Sequence, residues 1–317
     1  MKKEKNVINK VFITCLIVFL IVYALSITFM LLWGTLTSLK HSDDYFANKL
    51  GLPSLEYSRK EFLNLYNYLQ VFKNFEFPVR ASFYSGGQKV IHRATMNIGS
   101  LLLNTIIYAG AGALLHAFVP CLVAYLCVKY PFKLSKIIYN VCLLIMIIPI
   151  IGAQPSEISL LRSLGLYDTW LGYFCQKMNF TGMYFFVFHA YFRGLPDAYT
   201  EAAEVDGASQ TSILFRIILP LVSKMIATVM LILFVQLWND YQTPLLYLPT
   251  KATLAYGVYY MAYAVPIGSL SQEAQAVFGF TPGKIAACMV LALPILVLFI
   301  FLKDKLMGNV SVGGIKD

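Results

Sequence analysis

The chain contains several uninterrupted apolar runs, each about as long as the hydrocarbon core of a membrane is thick. A helix needs about 20 mainly apolar residues to cross that core. One water-soluble core could not bury so much apolar surface, since 58% of the 317 residues are hydrophobic and only 13% are charged. The sequence therefore predicts an all-α polytopic membrane protein. The five clearest spans are Val11–Trp33, Ile98–Val128, Ile137–Ile158, Val222–Leu248 and Ile285–Leu302.

A sixth span is predicted at Tyr173–Phe192, although polar residues interrupt its outer half. Its apolar centre is Phe180–Phe192, whereas Gln176, Lys177 and Asn179 lie before it. Backbone groups that face lipid must be hydrogen-bonded internally. We therefore expect neighbouring helices to shield the polar entry of this span, and an interfacial or re-entrant segment is the alternative.

The basic residues predict the orientation of these spans. Short cytoplasmic loops carry an excess of Lys and Arg. With the N-terminus inside, thirteen of the 25 basic residues fall in the short inner segments, so both termini are expected in the cytoplasm. The net charge of +9 is then explained largely by membrane topology and does not indicate nucleic-acid binding. The inner basic residues are Lys2, Lys3, Lys5, Lys10, Lys129, Lys133, Lys136, Arg193, Arg216, Lys224, Lys303, Lys305 and Lys316.

The first span could also be a cleavable signal, because Ala24 and Ser26 follow its apolar core. The apolar run continues to Trp33, which favours a retained anchor. The predicted organisation is a cytoplasmic N-terminus with the first span (1–33), an extracytoplasmic loop (34–96), a core of five spans (97–302) and a cytoplasmic tail (303–317).

The extracytoplasmic loop mixes turn-forming residues with one helical pattern. Apolar residues recur at helical spacing over Ser58–Phe75, and Gly86-Gly87 marks a turn. The loop is predicted to form a small cap, or alternatively a helix that lies on the membrane surface. A second outer loop, Thr250–Pro282, has too many glycines and prolines for a long helix.

No motif in the chain predicts catalysis, a metal site or a bound nucleotide. The four histidines are scattered, and neither a His-x-x-x-His nor a Cys-x-x-Cys pair is present. The segment Gly279–Lys284 resembles a phosphate loop only in composition, because its spacing is wrong and Ile285 stands where the magnesium ligand belongs. A membrane enzyme is therefore disfavoured, and no cofactor is expected.

The polar segment between the fourth and fifth spans is predicted to form two short helices. Pro196 and Asp197 favour the start of the first helix, and Gly207 can end it in the left-handed conformation. A second helix is expected over Ala208–Ile218, with Pro220 closing the loop before the next span begins. Such short helices usually owe their order to packing, which favours a soluble partner, although a simple connector would have a similar composition.

This segment resembles the signature of the inner-membrane permease subunits of ATP-binding-cassette importers. That signature is Glu-Ala-Ala, three residues, Gly, nine residues, Ile, one residue and Leu-Pro. The chain matches it at Glu201, Ala202, Ala203, Gly207, Ile217, Leu219 and Pro220. The resemblance implies that residues 193–220, the coupling loop, form coupling helices that seat on an ATPase subunit, with Asp206 and Ala208 flanking the glycine.

Two further segments resemble the smaller permease of carbohydrate importers of the maltose and oligosaccharide type. They are Trp238-Asn239-Asp240 followed by Pro244-Leu245, and the tail Gly308–Lys316; the chain departs from the family at Asp317, where glycine is usual. The resemblance implies a bacterial inner or plasma membrane and a second homologous permease. It also implies two cytoplasmic ATPase subunits that bind the ATP, and an extracytoplasmic solute-binding protein.

Polar side chains in the fifth span are candidates for the lining of a substrate path. A carboxylate or amide within an apolar span needs a buried or wet partner. The candidates are Trp238, Asn239, Asp240 and Gln242, and the alternative is that Asn239 and Asp240 hold helices together or cap a kink before Pro244. Permeases for glycerol-phosphate, polyamine or other small solutes share the coupling loop, and a self-sufficient channel or secondary transporter is a further alternative.

Overall fold

The computed structural model describes residues 2–54, 65–85, 88–130, 132–148, 152–264 and 272–307. They divide into two compact units, one formed by residues 1–75 and 260–293, the other by residues 76–259 and 294–317. Four helical stretches have the length and composition to cross a membrane: Lys10–Ser38, Ile98–Lys129, Gln210–Trp238 and Thr281–Leu298. They correspond to the first, second, fifth and last of the predicted spans.

The described residues are mostly helical. In chain order, the helices are α1 (Lys2–Ser38), α2 (Ser42–Ala47), α3 (Tyr66–Asn74), α4 (Ile98–Lys129), α5 (Lys133–Ile147), α6 (Ala153–Ser163), α7 (Trp170–Lys177), α8 (Met183–Arg193), α9 (Ala198–Val205), α10 (Gln210–Ile213), α11 (Leu219–Trp238), α12 (Gln242–Tyr247), α13 (Leu254–Tyr259), α14 (Gln272–Phe278) and α15 (Thr281–Met307). Two wider π-helical turns follow α10 and α13, at Leu214–Ile218 and Tyr260–Ala264.

The first unit joins α1 to the short helices α2, α3 and α14. The Asn67 side chain in α3 donates hydrogen bonds to the carbonyls of Ser38 (2.9 Å) and Lys40 (2.8 Å), which ties α3 to the end of α1. Phe75 packs edge-on against Phe278, with 5.4 Å between ring centroids. Helix α3 is the described part of the predicted helix Ser58–Phe75, because residues 55–64 lie outside the described residues.

A β-hairpin in the 34–96 loop shows that the all-α prediction is wrong for this segment. Strand β1 (Phe77–Ser85) pairs antiparallel with β2 (Gln88–Met96), with Phe77 opposite Met96 and Ser85 opposite Gln88. The first run is rich in aromatic residues and the second in β-branched residues, and the sequence Gly86-Gly87 between them is typical of hairpins. The turn predicted at Gly86-Gly87 lies outside the described residues, and the strands on either side were missed.

The third and fourth predicted spans are each divided into two shorter helices in the second unit. The third is α5 and α6, with residues 149–151 outside the description, and the fourth is α7 and α8. In the fourth, the Asn179 carboxamide oxygen accepts hydrogen bonds from the backbone N–H (2.9 Å) and the hydroxyl (2.7 Å) of Thr181. Such a local side-chain bond competes with the helical ladder. The polar entry noted in the sequence is therefore where the helix breaks.

Helix α4 lies at the centre of the second unit and packs against α7, α8 and α11. Its buried face carries Ala109, Ala113 and Ala117, spaced four residues apart. Small residues at this spacing let neighbouring helices approach closely. The van der Waals contacts that result help to hold helices together in a membrane. The C-terminal end of α4 contacts the coupling loop, and its N-terminal half contacts the segment after α11.

Candidate functional site

The first helix of the coupling loop, α9, ends in a left-handed glycine cap. Gly207 has φ +75°. Its N–H donates to the carbonyl of Glu204 (3.0 Å), and the N–H of Ala208 donates to the carbonyl of Ala203 (2.9 Å). This pair of bonds is the Schellman motif, which requires a residue with positive φ at the glycine position. The predicted end of the helix at Gly207 is confirmed.

The surface around this cap is exposed. Glu201, Ala202, Asp206 and Gly207 are exposed, whereas Ala203 is buried. The sequence prediction missed Val205, whose side chain is 88% exposed directly before the cap. An isolated exposed apolar residue is ordinary. Tyr199 on the same helix and Phe215 beyond α10 are exposed as well, so the loop presents several apolar side chains that the described residues do not cover.

Two side-chain contacts attach the coupling loop to the end of α4. Asp197 precedes α9, but its carboxylate makes no cap bond and pairs instead with the ammonium of Lys129. The hydroxyl of Tyr130 donates to the side-chain oxygen of Gln210 in α10. The Gln210 amide donates in turn to the Glu204 carboxylate (2.9 Å). Both short helices of the loop are therefore connected to α4.

Pro220 does not close the loop, and this corrects the predicted boundary. Helix α10 continues through the π-helical turn Leu214–Ile218 directly into α11, so Ile217, Leu219 and Pro220 lie inside one continuous helical stretch. Proline has no N–H to donate and its ring crowds the carbonyl four residues earlier. The wider turn, in which the Leu219 N–H donates to the Leu214 carbonyl, accommodates the ring. The loop is therefore mechanically continuous with α11.

A polar cluster lies where α11 ends. The Tyr108 hydroxyl donates to Oδ2 of Asp240 (2.7 Å), and Oδ1 of Asp240 accepts the N–H of Thr243 (3.0 Å) at the start of α12. The Tyr173 ring stacks on Tyr108 with 4.4 Å between centroids, and its hydroxyl donates to the Tyr108 carbonyl (2.8 Å). Sequence reasoning missed Tyr108 and used Tyr173 only as a span boundary.

The other three path candidates have surroundings that differ from those of Asp240. Trp238 is buried, whereas Asn239 and Gln242 are exposed. The Asn239 amide donates to the Val235 carbonyl of its own helix (2.9 Å), as a cap would. Gln242 makes no side-chain hydrogen bond with another described residue. Asp240 is the candidate whose side chain binds Tyr108 in the cluster.

The chain is similar to known transport proteins. The family described as binding-protein-dependent transport system inner membrane component matches residues 116–308. The melibiose/raffinose/stachyose import permease protein MelC of Bacillus subtilis (strain 168) is 28% identical over 246 residues, covering 76% of this chain and 83% of MelC. The trehalose transport system permease protein SugB of Mycobacterium tuberculosis (strain CDC 1551 / Oshkosh) is 26% identical over 222 residues, covering 69% and 75%.

The same fold occurs in a solved structure, that of a bacterial ABC transporter involved in the import of the acidic polysaccharide alginate. The TM-score is 0.70 at 18% identity, and the match covers 95% of this chain and 97% of that one.

Proposed function

The chain belongs to the family of binding-protein-dependent transport system inner membrane components, and we propose that it is the permease subunit of an ATP-driven carbohydrate importer. It forms half of the translocation path and couples that path to a separate ATPase. The names of MelC and SugB support the carbohydrate cargo, since both name sugars. The similarity covers 83% of MelC and 75% of SugB. In this proposal the chain is a non-catalytic subunit, and the partner ATPase binds the ATP.

The coupling loop is the part that engages the ATPase. The observation that carries this proposal is the group of exposed apolar side chains in the loop, at Tyr199, Val205 and Phe215. The loop that presents them is attached to α4 through Lys129 and Tyr130. Burying such side chains in a cleft of a soluble partner would be favourable by about 25 cal/mol per Å² of apolar surface removed from water.

The topology that fits this function has six crossings. The four long helices supply four, and the divided pairs α5–α6 and α7–α8 supply the other two. The basic residues favour cytoplasmic termini, which places the coupling loop on the cytoplasmic side. A second permease completes the path, and an extracytoplasmic solute-binding protein delivers the sugar. Residues 308–317, which carry the family-like tail, lie outside the described residues.

The coupling assignment is tested by Gly207→Glu in the assembled transporter. An added Cβ meets nothing within 4 Å there, so the change alters only the backbone preference and the docking surface. Gly165→Glu is the matched control, because Gly165 has φ +68° and equally open surroundings outside the loop. We expect both variants to insert, and Gly207→Glu alone to lose uptake and sugar-stimulated ATP hydrolysis. Normal stimulated hydrolysis in Gly207→Glu would refute the assignment.

The cargo is tested by competition of labelled oligosaccharide uptake in vesicles that contain the complete transporter. Competition by α-galactosides or trehalose supports a carbohydrate importer. Competition by glycerol-phosphate or a polyamine alone would favour a permease for another small solute. Flux through this chain without ATP or partners would favour a self-sufficient channel or secondary transporter.

A further inference from the structure

The second unit contains a cavity of about 600 Å³ that neither candidate site uses. It lies between the end of α4, the start of α5 and the end of α8. Its polar lining consists of Ser135, Lys136, Tyr139, Asn140, His189 and Arg193. Lys136 and Arg193 are positively charged and none of the six side chains is acidic, so the lining carries positive charge that no lining carboxylate balances.

Several donors in this cavity lack a partner within the described part of the chain. Lys136, Asn140 and Arg193 make no side-chain hydrogen bond or ion pair with another described residue. By contrast, the Ser135 hydroxyl is already committed to the Phe132 carbonyl (2.6 Å). The His189 ring is held between Tyr139 (centroids 4.9 Å apart) and Phe185 (5.8 Å). Cations from two different helices therefore converge on a cavity whose donors remain available.

We propose that this cavity binds a phosphate group through Arg193, Lys136 and His189. The planar guanidinium forms paired hydrogen bonds with phosphate oxygens, and lysine adds a point charge. Basic cavities between membrane helices on the cytoplasmic side suit the headgroups of anionic lipids. The exposed apolar side chains of Leu134, Ile137 and Val141 on α5 provide a surface along which acyl chains can lie. A free phosphate of the cytoplasm has the same chemistry, and the experiment separates the two sources.

The cavity lies next to the residues that attach the coupling loop to α4. Helix α4 contributes to its wall immediately before Lys129 and Tyr130, which hold the coupling loop. Arg193 is the last residue of α8 and the first residue of that loop. A bound phosphate would fix the end of α8 against the start of α5, and so limit the motion of the loop. The cytoplasmic location rests on the proposed function, whereas the charge and shape of the cavity do not.

The test measures lipid binding to the purified complete transporter by native mass spectrometry in neutral detergent. The probes are phosphatidylglycerol, phosphatidylcholine and inorganic phosphate. The variants are Arg193→Gln and the double change Lys136→Gln with Arg193→Gln. Lys133→Gln is the matched control, because Lys133 is an exposed lysine on the same helix that does not line the cavity. An unchanged thermal unfolding temperature shows that a variant is folded. If the double variant does not fold, the single variant Arg193→Gln is compared with Lys133→Gln instead.

We expect phosphatidylglycerol affinity to fall about fivefold for each cation removed and to stay unchanged in Lys133→Gln. Displacement of the lipid by inorganic phosphate would identify free phosphate as a second ligand, and its absence would assign the site to lipid. Equal phosphatidylglycerol binding by the double variant and Lys133→Gln would overturn the proposal, as would equal binding of phosphatidylcholine.

Absence of phosphatidylglycerol binding in the complete wild-type transporter would also overturn it, because the second permease would then fill the cavity. The assay uses neither ATP nor sugar, so Gly207→Glu should bind lipid normally. Failure of the importer assignment and failure of the phosphate site therefore give different results.

Discussion

The hydroxyl of Tyr108 donates a 2.7 Å hydrogen bond to the carboxylate of Asp240, 132 residues further along the chain. This bond joins buried Tyr108 in α4 to the break that follows α11. Because the Thr243 N–H binds the other carboxylate oxygen, Asp240 is also an anchor for α12. Asp240 is predicted to line the path. A substrate could bind its carboxylate only at the acceptor positions that these two hydrogen bonds leave open.

Tyr108→Phe should destabilise the assembled transporter by about 1–3 kcal/mol, the usual contribution of a hydrogen bond to a carboxylate, here the half-buried Asp240. The ring and its stacking on Tyr173 are retained, so the effect isolates the hydroxyl. The measurement is the thermal unfolding temperature in detergent. Tyr241→Phe is the control, because the Tyr241 ring stacks on Tyr259 while its hydroxyl makes no hydrogen bond with another described residue. Equal unfolding temperatures for the two variants would contradict the importance of the bond.

The sequence predicted those features that depend on neighbouring residues. Continuous apolarity identified α1, α4, α11 and α15, and the conformational freedom of glycine identified the cap at Gly207. The hairpin at Phe77–Met96 could have been found from its two β-rich runs, but the membrane setting favoured helices throughout.

Other features depend on residues far apart in the chain. Nothing near Tyr108 indicates that its partner is Asp240, because hydrophobic periodicity records which face is buried and not which residue lies opposite. Pro220 was misjudged for a related reason. Whether a proline ends a helix or sits behind a π-helical turn depends on the packing of the following span.

Gly112→Ala should disturb the same cluster by steric overlap. A Cβ at this position would lie 2.0 Å from the Tyr173 hydroxyl and 3.0 Å from Cδ1 of Leu237. Tyr173 would have to move and lose its bond to the Tyr108 carbonyl, so we expect about 1–3 kcal/mol of destabilisation, typical of overpacking. Gly110→Ala is the matched control on α4, since its Cβ meets nothing within 4 Å. The prediction fails if both variants unfold at the wild-type temperature.

Substitutions at Asp168 should separate hydrogen bonding from backbone strain. Its buried carboxylate accepts the Thr250 N–H (3.1 Å) and hydroxyl (2.6 Å), and its φ is +59°, which is unfavourable for most residues. Asp168→Asn keeps an acceptor and tolerates this φ. Asp168→Gly loses the acceptors but relieves the strain, and Asp168→Ala loses the acceptors and keeps the strain.

The expected order of thermal stability is therefore Asp, Asn, Gly and then Ala. Glycine and alanine should differ by about 1–2 kcal/mol, the cost of a left-handed conformation. If the alanine variant is as stable as the glycine variant, backbone strain at this position is not significant.

The pair Lys129–Asp197 should matter more for coupling than for stability. The Asp197 side chain is 74% exposed, whereas that of Lys129 is only 10% exposed. Because water reaches one partner and screens the pair, we expect it to contribute about 1 kcal/mol, the upper end of the range for exposed pairs, and less at high salt. Lys129→Met and Asp197→Asn should therefore leave the unfolding temperature almost unchanged. Because the pair attaches the coupling loop to α4, each change should lower sugar-stimulated ATP hydrolysis severalfold, and the double variant should be no worse than either single one. Lys224→Met, an exposed lysine on α11, is the control for loss of charge. Additive losses in the double variant would mean that the two residues act separately, and that the loop is held to α4 by Tyr130 and Gln210 alone.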